Sequence, residues 1–268
     1  MNGSGGVPST ALSQELKAFY YNATSIRGKL NDFNHHFDNT CEYDFISVTE
    51  TWLNENIFDG EIPVLINSNY NIFRKDRDTI VSNKKDGGGV LVAVSYKFSS
   101  RRRHDLETDC EAVWVEIQLN ADCKLFLATV YVPPDSQLSV CSHLEDSLEK
   151  VRSMLRPNDS MLILGDFDMS DAVWSTSDGL KWVICKNRSN VCGKTARLLE
   201  AFDYSELQQH NVLPTCNRPN KPLDLVYSND ELDISVNYAS NPTSSTHFAL
   251  DVGLCISLSC NSTANHNC

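Results

Sequence analysis

The chain has 268 residues, 41% of them hydrophobic and 22% charged, with 35 acidic against 23 basic side chains and a formal net charge of -12. That composition excludes intrinsic disorder and leaves enough apolar residues for one large core or two small ones. The acidity argues against a protein that coats nucleic acid through bulk positive charge, because phosphate contacts draw on Lys and Arg.

Residues 1–16 are polar and read as a flexible leader, without the apolar run of a signal peptide. Residues 17–257 read as one domain, with no linker composition inside it, and 258–268 as a polar tail. Strands are predicted over 18–22, 44–49, 71–74, 88–94, 112–118, 124–132, 161–165, 223–227 and 248–256, several of them β-branched or aromatic runs. Ile26, Leu30, Phe33 and Phe37 share one helical face, as do Leu144, Leu148, Val151 and Leu155, and Pro157 stops the second helix. Segments 76–87 and 169–190 read as long loops or insertions. Many strands with few helices predict an α+β fold of two packed mixed sheets.

The ten cysteines form no C-x-x-C pair and no framework spacing, so they read as reduced thiols of an intracellular protein. No stretch approaches the roughly 18 apolar residues of a membrane span, and no membrane partner is expected. Basic residues gather at Arg74, Lys75 and Arg77, at Lys84 and Lys85, and at Arg101 to Arg103. Such runs are commonly solvated faces.

Chemistry collects where polar residues end apolar strands. Asn22 follows Ala-Phe-Tyr-Tyr, Glu50 follows Phe-Ile-Ser-Val-Thr, and Asp166 follows Met-Leu-Ile-Leu-Gly. Tyr131 precedes Val-Pro-Pro, His247 follows Ser-Ser-Thr, and Asp224 interrupts Pro-Leu-Asp-Leu-Val. A carboxylate inside such a run is costly to bury unless it is paired or functional. Each residue alone has an ordinary reading: a cap for Glu50, a turn for Asp166, an exposed strand position for Asp224, a structural imidazole for His247.

Together, in order, the pieces resemble the motif series of the endonuclease/exonuclease/phosphatase (DNase I-like) superfamily. They are Tyr21-Asn22-Ala23-Thr24-Ser25-Ile26, Thr49-Glu50-Thr51-Trp52-Leu53 and Gly87-Gly88-Gly89-Val90-Leu91-Val92-Ala93-Val94. Tyr131-Val132-Pro133-Pro134, Leu164-Gly165-Asp166-Phe167-Asp168, Leu223-Asp224-Leu225-Val226 and Thr246-His247-Phe248 continue the series. The wording is most similar to the apurinic-endonuclease-like nuclease domain of non-LTR retrotransposons.

The resemblance implies a four-layer α/β/β/α sandwich and a metal-dependent endonuclease that nicks DNA, leaving 3′-hydroxyl and 5′-phosphate ends. It implies Mg²⁺, or Mn²⁺ in its place, on Glu50 with help from Asn22. Asp166 would orient or deprotonate water, and Asp224 would hold His247 against the phosphate. Tyr131 would donate to developing charge. Arg74 and Arg77 would contact DNA beside the cleft. The expected protein is a monomer, or part of a larger retrotransposon polyprotein, and nuclear if chromosomal DNA is its substrate.

Two departures stand out. The family's Gly-Asp-x-Asn motif carries Asp168 here, and a carboxylate cannot donate to phosphate. Thr246 stands where Asp commonly precedes the histidine. These positions keep open a catalytically impaired domain of the same fold, and the net charge of -12 keeps open a phosphoesterase for small molecules.

Overall fold

The apolar runs of the sequence become strands buried on both faces. The computed structural model describes residues 12–39, 43–57, 62, 70–78, 87–217, 221–229 and 231–258. In chain order its strands are β1 (Leu12–Asn22), β2 (Phe45–Thr49), β3 (Tyr70–Lys75), β4 (Val90–Ser95), β5 (Ser99–Arg102), β6 (Glu111–Gln118) and β7 (Lys124–Tyr131). They continue with β8 (Ser160–Asp166), β9 (Trp174–Thr176), β10 (Val183–Cys185), β11 (Gln208–Gln209), β12 (Asp224–Ser228), β13 (Leu232–Tyr238) and β14 (Leu250–Leu258). The helices are α1 (Leu30–Asn39), α2 (Leu138–Met154) and α3 (Gly193–Tyr204).

Two mixed sheets result. One has six strands in the order β13-β14-β1-β2-β4-β3, the other eight in the order β5-β6-β7-β8-β12-β11-β10-β9. Each contains one parallel pair, β1 with β2 and β7 with β8. A parallel pair needs a crossover, which α1 supplies in the first sheet and α2 in the second.

The two-residue period of a strand sorts the core into layers. Along β7, Leu125, Leu127 and Tyr131 face the space between the sheets, while Phe126, Ala128 and Val130 face α2 and α3. Along β1, Leu16, Ala18 and Tyr20 face the other sheet, while Phe19 and Tyr21 pack with Phe33 and Phe37 of α1. Three buried clusters between four layers give the expected α/β/β/α sandwich. Deleting one fully buried aromatic from them, such as Trp114 or Phe167, would cost about 3–5 kcal/mol.

Several details differ from the sequence reading. β1 already begins at Leu12, inside the segment read as leader, and Leu258 at the tail's edge still belongs to β14. The first helix starts at Leu30, not Ile26: left-handed backbone at Thr24, Ser25 and Gly28 delays it, although Ile26 stays buried in the same cluster. Segment 169–190 is not one long loop; it holds β9, β10 and a 3₁₀ turn at Arg188–Asn190. Most of the predicted loop 76–87, with Lys84 and Lys85, lies outside the described residues. Seven described cysteines are free thiols, and Cys110, Cys123, Cys141 and Cys216 are buried. Among the described residues no helix is long and apolar enough to cross a membrane.

Candidate active site

Topology delivers the polar strand ends to one place. Because β1 and β2 are parallel, Asn22 pairs in register with Thr49, and Glu50 follows at the same edge. Because β7 and β8 are parallel, Tyr131 lies beside Asp166. β12 runs antiparallel to β8, so its first residue, Asp224, registers with Asp166. β14 runs antiparallel to β1, and the segment before it brings His247 to the same end.

Parity places the side chains as well. Asn22 stands two residues beyond Tyr20, Tyr131 four beyond Leu127, Asp166 two beyond Leu164, and Asp224 two before Val226; all four apolar partners line the space between the sheets. The site is therefore the polar cap of the inter-sheet core.

The contacts are specific. Asn22 Nδ2 donates to Glu50 Oε1 at 3.0 Å and to Asp166 Oδ2 at 2.8 Å. Its Oδ1 accepts the backbone N–H of Thr24 at 3.1 Å. Asn22 is thus a bridge between two carboxylates, with its nitrogen facing them. Glu50 Oε2 accepts from Trp52 Nε1 at 3.3 Å, and Asp166 Oδ1 from the backbone N–H of Asp168 at 3.0 Å. His247 Nδ1 lies 2.6 Å from Asp224 Oδ2. A carboxylate only accepts, so Nδ1 carries the proton and Nε2 is left for other partners. The second Asp224 oxygen takes the Tyr20 hydroxyl at 2.7 Å.

Burial and charge perturb these groups. Burial pushes the Asp166 carboxyl up to about 8, and the neighbouring Asp224 charge adds to it. Burial works against a charged His247, but the Asp224 carboxylate outweighs it and holds the imidazole up to about 10. Burial raises the Tyr131 phenol, and the Glu50 and Asp166 charges raise it further. Ligand atoms of Asp166, Asp224 and His247 lie within 4.8 Å of one another. Two buried carboxylates beside Glu50, with one imidazole to offset them, are a donor set that a hard divalent cation would relieve. The residues present fit such an ion.

The backbone is strained here too. Six non-glycine residues among those described have positive φ; Thr24, Ser25, Glu50, Trp52 and Asp168 are five of them. Each costs on the order of 1–3 kcal/mol and persists only where surrounding contacts impose it. Trp52 and Thr51 donate backbone bonds to Gly88 and Gly89, whose own left-handed φ leaves no room for a Cβ.

The basic residues divide. The Arg77 guanidinium lies 5.6 Å from the centre of the Tyr131 ring and pairs with Glu111 at 2.7 Å. Arg74 turns to the Ile57 carbonyl at 2.6 Å and to Asp76 at 3.6 Å. Arg101 and Arg103 share Glu116, and Arg102 pairs with Glu107. Thr246 is exposed; Ser245 does the local work, donating to the Asn22 carbonyl at 2.9 Å and accepting the His247 N–H at 3.1 Å.

Sequence reasoning missed Tyr20, Ser245 and Lys194. Tyr20 was legible from parity, two residues before Asn22. Lys194, in the first turn of the unpredicted α3, puts its Nζ 3.1 Å from Asp168 Oδ2.

Fold and site define a DNase I-like sandwich with a polar, carboxylate-rich cleft at one sheet end. Residues 125–250 match a family model described as "Endonuclease-reverse transcriptase". No curated protein matches the sequence. The endonuclease domain of TRAS1, a telomere-specific non-LTR retrotransposon, superposes with TM-score 0.62 at 13% identity, covering 90% of this chain and 98% of that one. The AP endonuclease LMAP from Leishmania major gives TM-score 0.65 at 12% identity, covering 90% and 87%. An AP endonuclease from Archaeoglobus fulgidus gives 0.59 at 14%, covering 88% and 98%. At 12–14% identity these likenesses show a shared fold.

Proposed function

We propose that the chain is a metal-dependent endonuclease that nicks DNA by phosphodiester hydrolysis, leaving 3′-hydroxyl and 5′-phosphate ends. The observation that carries this is the convergence of Asn22, Glu50, Asp166, Asp224 and His247 through direct hydrogen bonds at one sheet end. The family model and the three nuclease-fold likenesses support the reaction class.

Glu50, with the Asn22 side chain beside it, would hold a divalent cation, Mg²⁺ or Mn²⁺. When bound, that ion supplies Lewis acidity toward the phosphoryl and leaving oxygens. The rest is protein chemistry. Asp166, raised to about 8 in the metal-free protein, is a stronger base than an ordinary carboxylate once ionised, and the charge of a bound cation would favour that ionised form for water activation. Its orientation is fixed from two sides, by Asn22 and by the Asp168 N–H. His247 stays an imidazolium to about 10 and offers Nε2–H to a phosphate oxygen, while Asp224 fixes the ring. Tyr131, its phenol kept neutral, is a donor to developing negative charge. Arg77, its side chain 7% exposed and paired with Glu111, lies against the Tyr131 ring.

Incubating the protein with supercoiled plasmid in Mg²⁺, in EDTA, and as Asp166→Ala tests the proposal. Metal-dependent nicking lost in the variant supports it; equal nicking by the variant refutes it. A second reading, a phosphoesterase for small molecules, draws on the pairing of Arg101, Arg102 and Arg103 with carboxylates. Hydrolysis of bis(p-nitrophenyl) phosphate with no plasmid nicking would favour it. Acting on chromosomal DNA would require a nuclear protein.

A further inference from the structure

Asp168 sits where a negative charge is least welcome. Its backbone N–H holds Asp166 Oδ1 at 3.0 Å, so Asp168 belongs to the turn that orients the group proposed to activate water. Its φ of 46° places it in the left-handed region, a conformation set by this loop and not by residue preference. An unpaired carboxylate on that turn would repel an anionic phosphodiester.

That charge is answered from another element. Lys194 Nζ lies 3.1 Å from Asp168 Oδ2, 3.4 Å from the Pro133 carbonyl and 3.2 Å from the Pro134 carbonyl. An ammonium has three donors, and all three are spent on the two loops that flank the cleft. The lysine side chain is only 12% exposed. It also stands in the first turn of α3, where the helix dipole disfavours a cation. A buried lysine in that position needs a local anion, and Asp168 is that anion.

We infer that Lys194 is a positioning residue for this site: it neutralises Asp168 on the turn that orients Asp166, so that an anionic phosphodiester is tolerated. This rests on the nuclease reading for its substrate, but the charge pairing stands apart from it. Lys194 and Asp168 form one unit, equivalent in net charge to a neutral pair.

Four proteins test it: wild type, Lys194→Met, Asp168→Asn, and the double variant. Each is measured for plasmid nicking and for thermal unfolding in EDTA. Lys194→Met is expected to lower kcat/KM by 30-fold or more (~30-fold being about 2 kcal/mol). The double variant, which removes both charges, is expected within threefold of Asp168→Asn. Rescue by deleting the opposite charge separates neutralisation from loss of the carbonyl ties, which the double variant also lacks. Should Lys194→Met fail to fold, the double variant is still expected to fold and to nick, and its failure to do so overturns the inference. Full activity in Lys194→Met, or a double variant as slow as Lys194→Met, also overturns it. If the wild type nicks nothing, the nuclease reading fails, and unfolding alone decides the ion pair. Midpoints that recover in the double variant uphold it, and strictly additive losses refute it.

Discussion

Asp166→Asn should make the metal-free protein more stable at neutral and alkaline pH while abolishing its activity. Asp166 is 5% exposed, and burial with the Asp224 charge raises its carboxyl from an ordinary 3.8 to about 8. The folded state therefore keeps a proton that the unfolded chain releases. Stability of the wild type should fall as pH rises from about 4 to about 8, and level off above that. At about 1.4 kcal/mol for each tenfold in proton affinity, the ceiling is roughly 6 kcal/mol. An asparagine returns part of this, because its one oxygen cannot accept from both Asn22 Nδ2 and the Asp168 N–H; losing one such bond costs about 1–2 kcal/mol. The net gain at pH 8 is then about 3–4 kcal/mol, or roughly 6–16 °C in midpoint for a domain of this size. Thermal unfolding in EDTA from pH 4 to 9 measures it. The variant should lie slightly below wild type near pH 4 and cross above it as pH rises, with Mg²⁺ raising the wild type more than the variant. Parallel curves across that range, or a variant less stable at pH 8 than at pH 5 relative to wild type, would refute the reasoning.

Three further outcomes follow from the same geometry. Asp224→Asn removes the partner that holds His247 up to about 10, leaving burial to lower it; the alkaline limb of the rate profile should move down by several pH units, and kcat/KM should fall about 10–100-fold. Burial opposes ionisation of Glu116, but hydrogen bonds from Arg101, Lys124 and Arg103 hold it down to about 2, so its contribution is present above about 4.5 and is lost as pH falls toward 2. Because water reaches Arg101, the loss is about 1–2 kcal/mol, visible as a shallower acid unfolding curve in Glu116→Gln. Gly165→Ala should destabilise by about 3 kcal/mol or more, since a Cβ there runs into the Val130 carbonyl on the neighbouring strand, and urea unfolding would detect it. A Gly165→Ala protein as stable as wild type would mean that β7 and β8 lie farther apart than their register requires.

The residues that end apolar strands were legible because their chemistry contrasts with the runs before them. Asn22, Glu50, Tyr131, Asp166, Asp224 and His247 all come together at one sheet end. Strands with weak apolar signal escaped. β13 alternates Leu, Asp, Ile, Ser and Val on an edge with one largely solvated face, and β11 has only two residues, both glutamine. α3 carries Leu198, Leu199 and Phe202 at helical spacing, yet it sits beside a glycine and a cysteine without a capping side chain. Lys194 was hidden with it, since no local pattern announces a partner 26 residues away. The run Arg101 to Arg103 shows the same limit from the other side: one charge in sequence is neutralised in space by Glu107, Glu116 and Asp105. Pairing across strands is invisible to a linear count.

Each sheet owns half of the cleft. Asn22, Glu50 and His247 hang from the six-stranded sheet, and Tyr131, Asp166 and Asp224 from the eight-stranded one. His247 reaches its half only because β14 returns from the far end of the chain to pair with β1. No contiguous segment short of nearly the whole domain therefore carries all six residues. Only a chain whose β1 and β14 have met brings them into one cleft, so correct assembly is a precondition of the site itself.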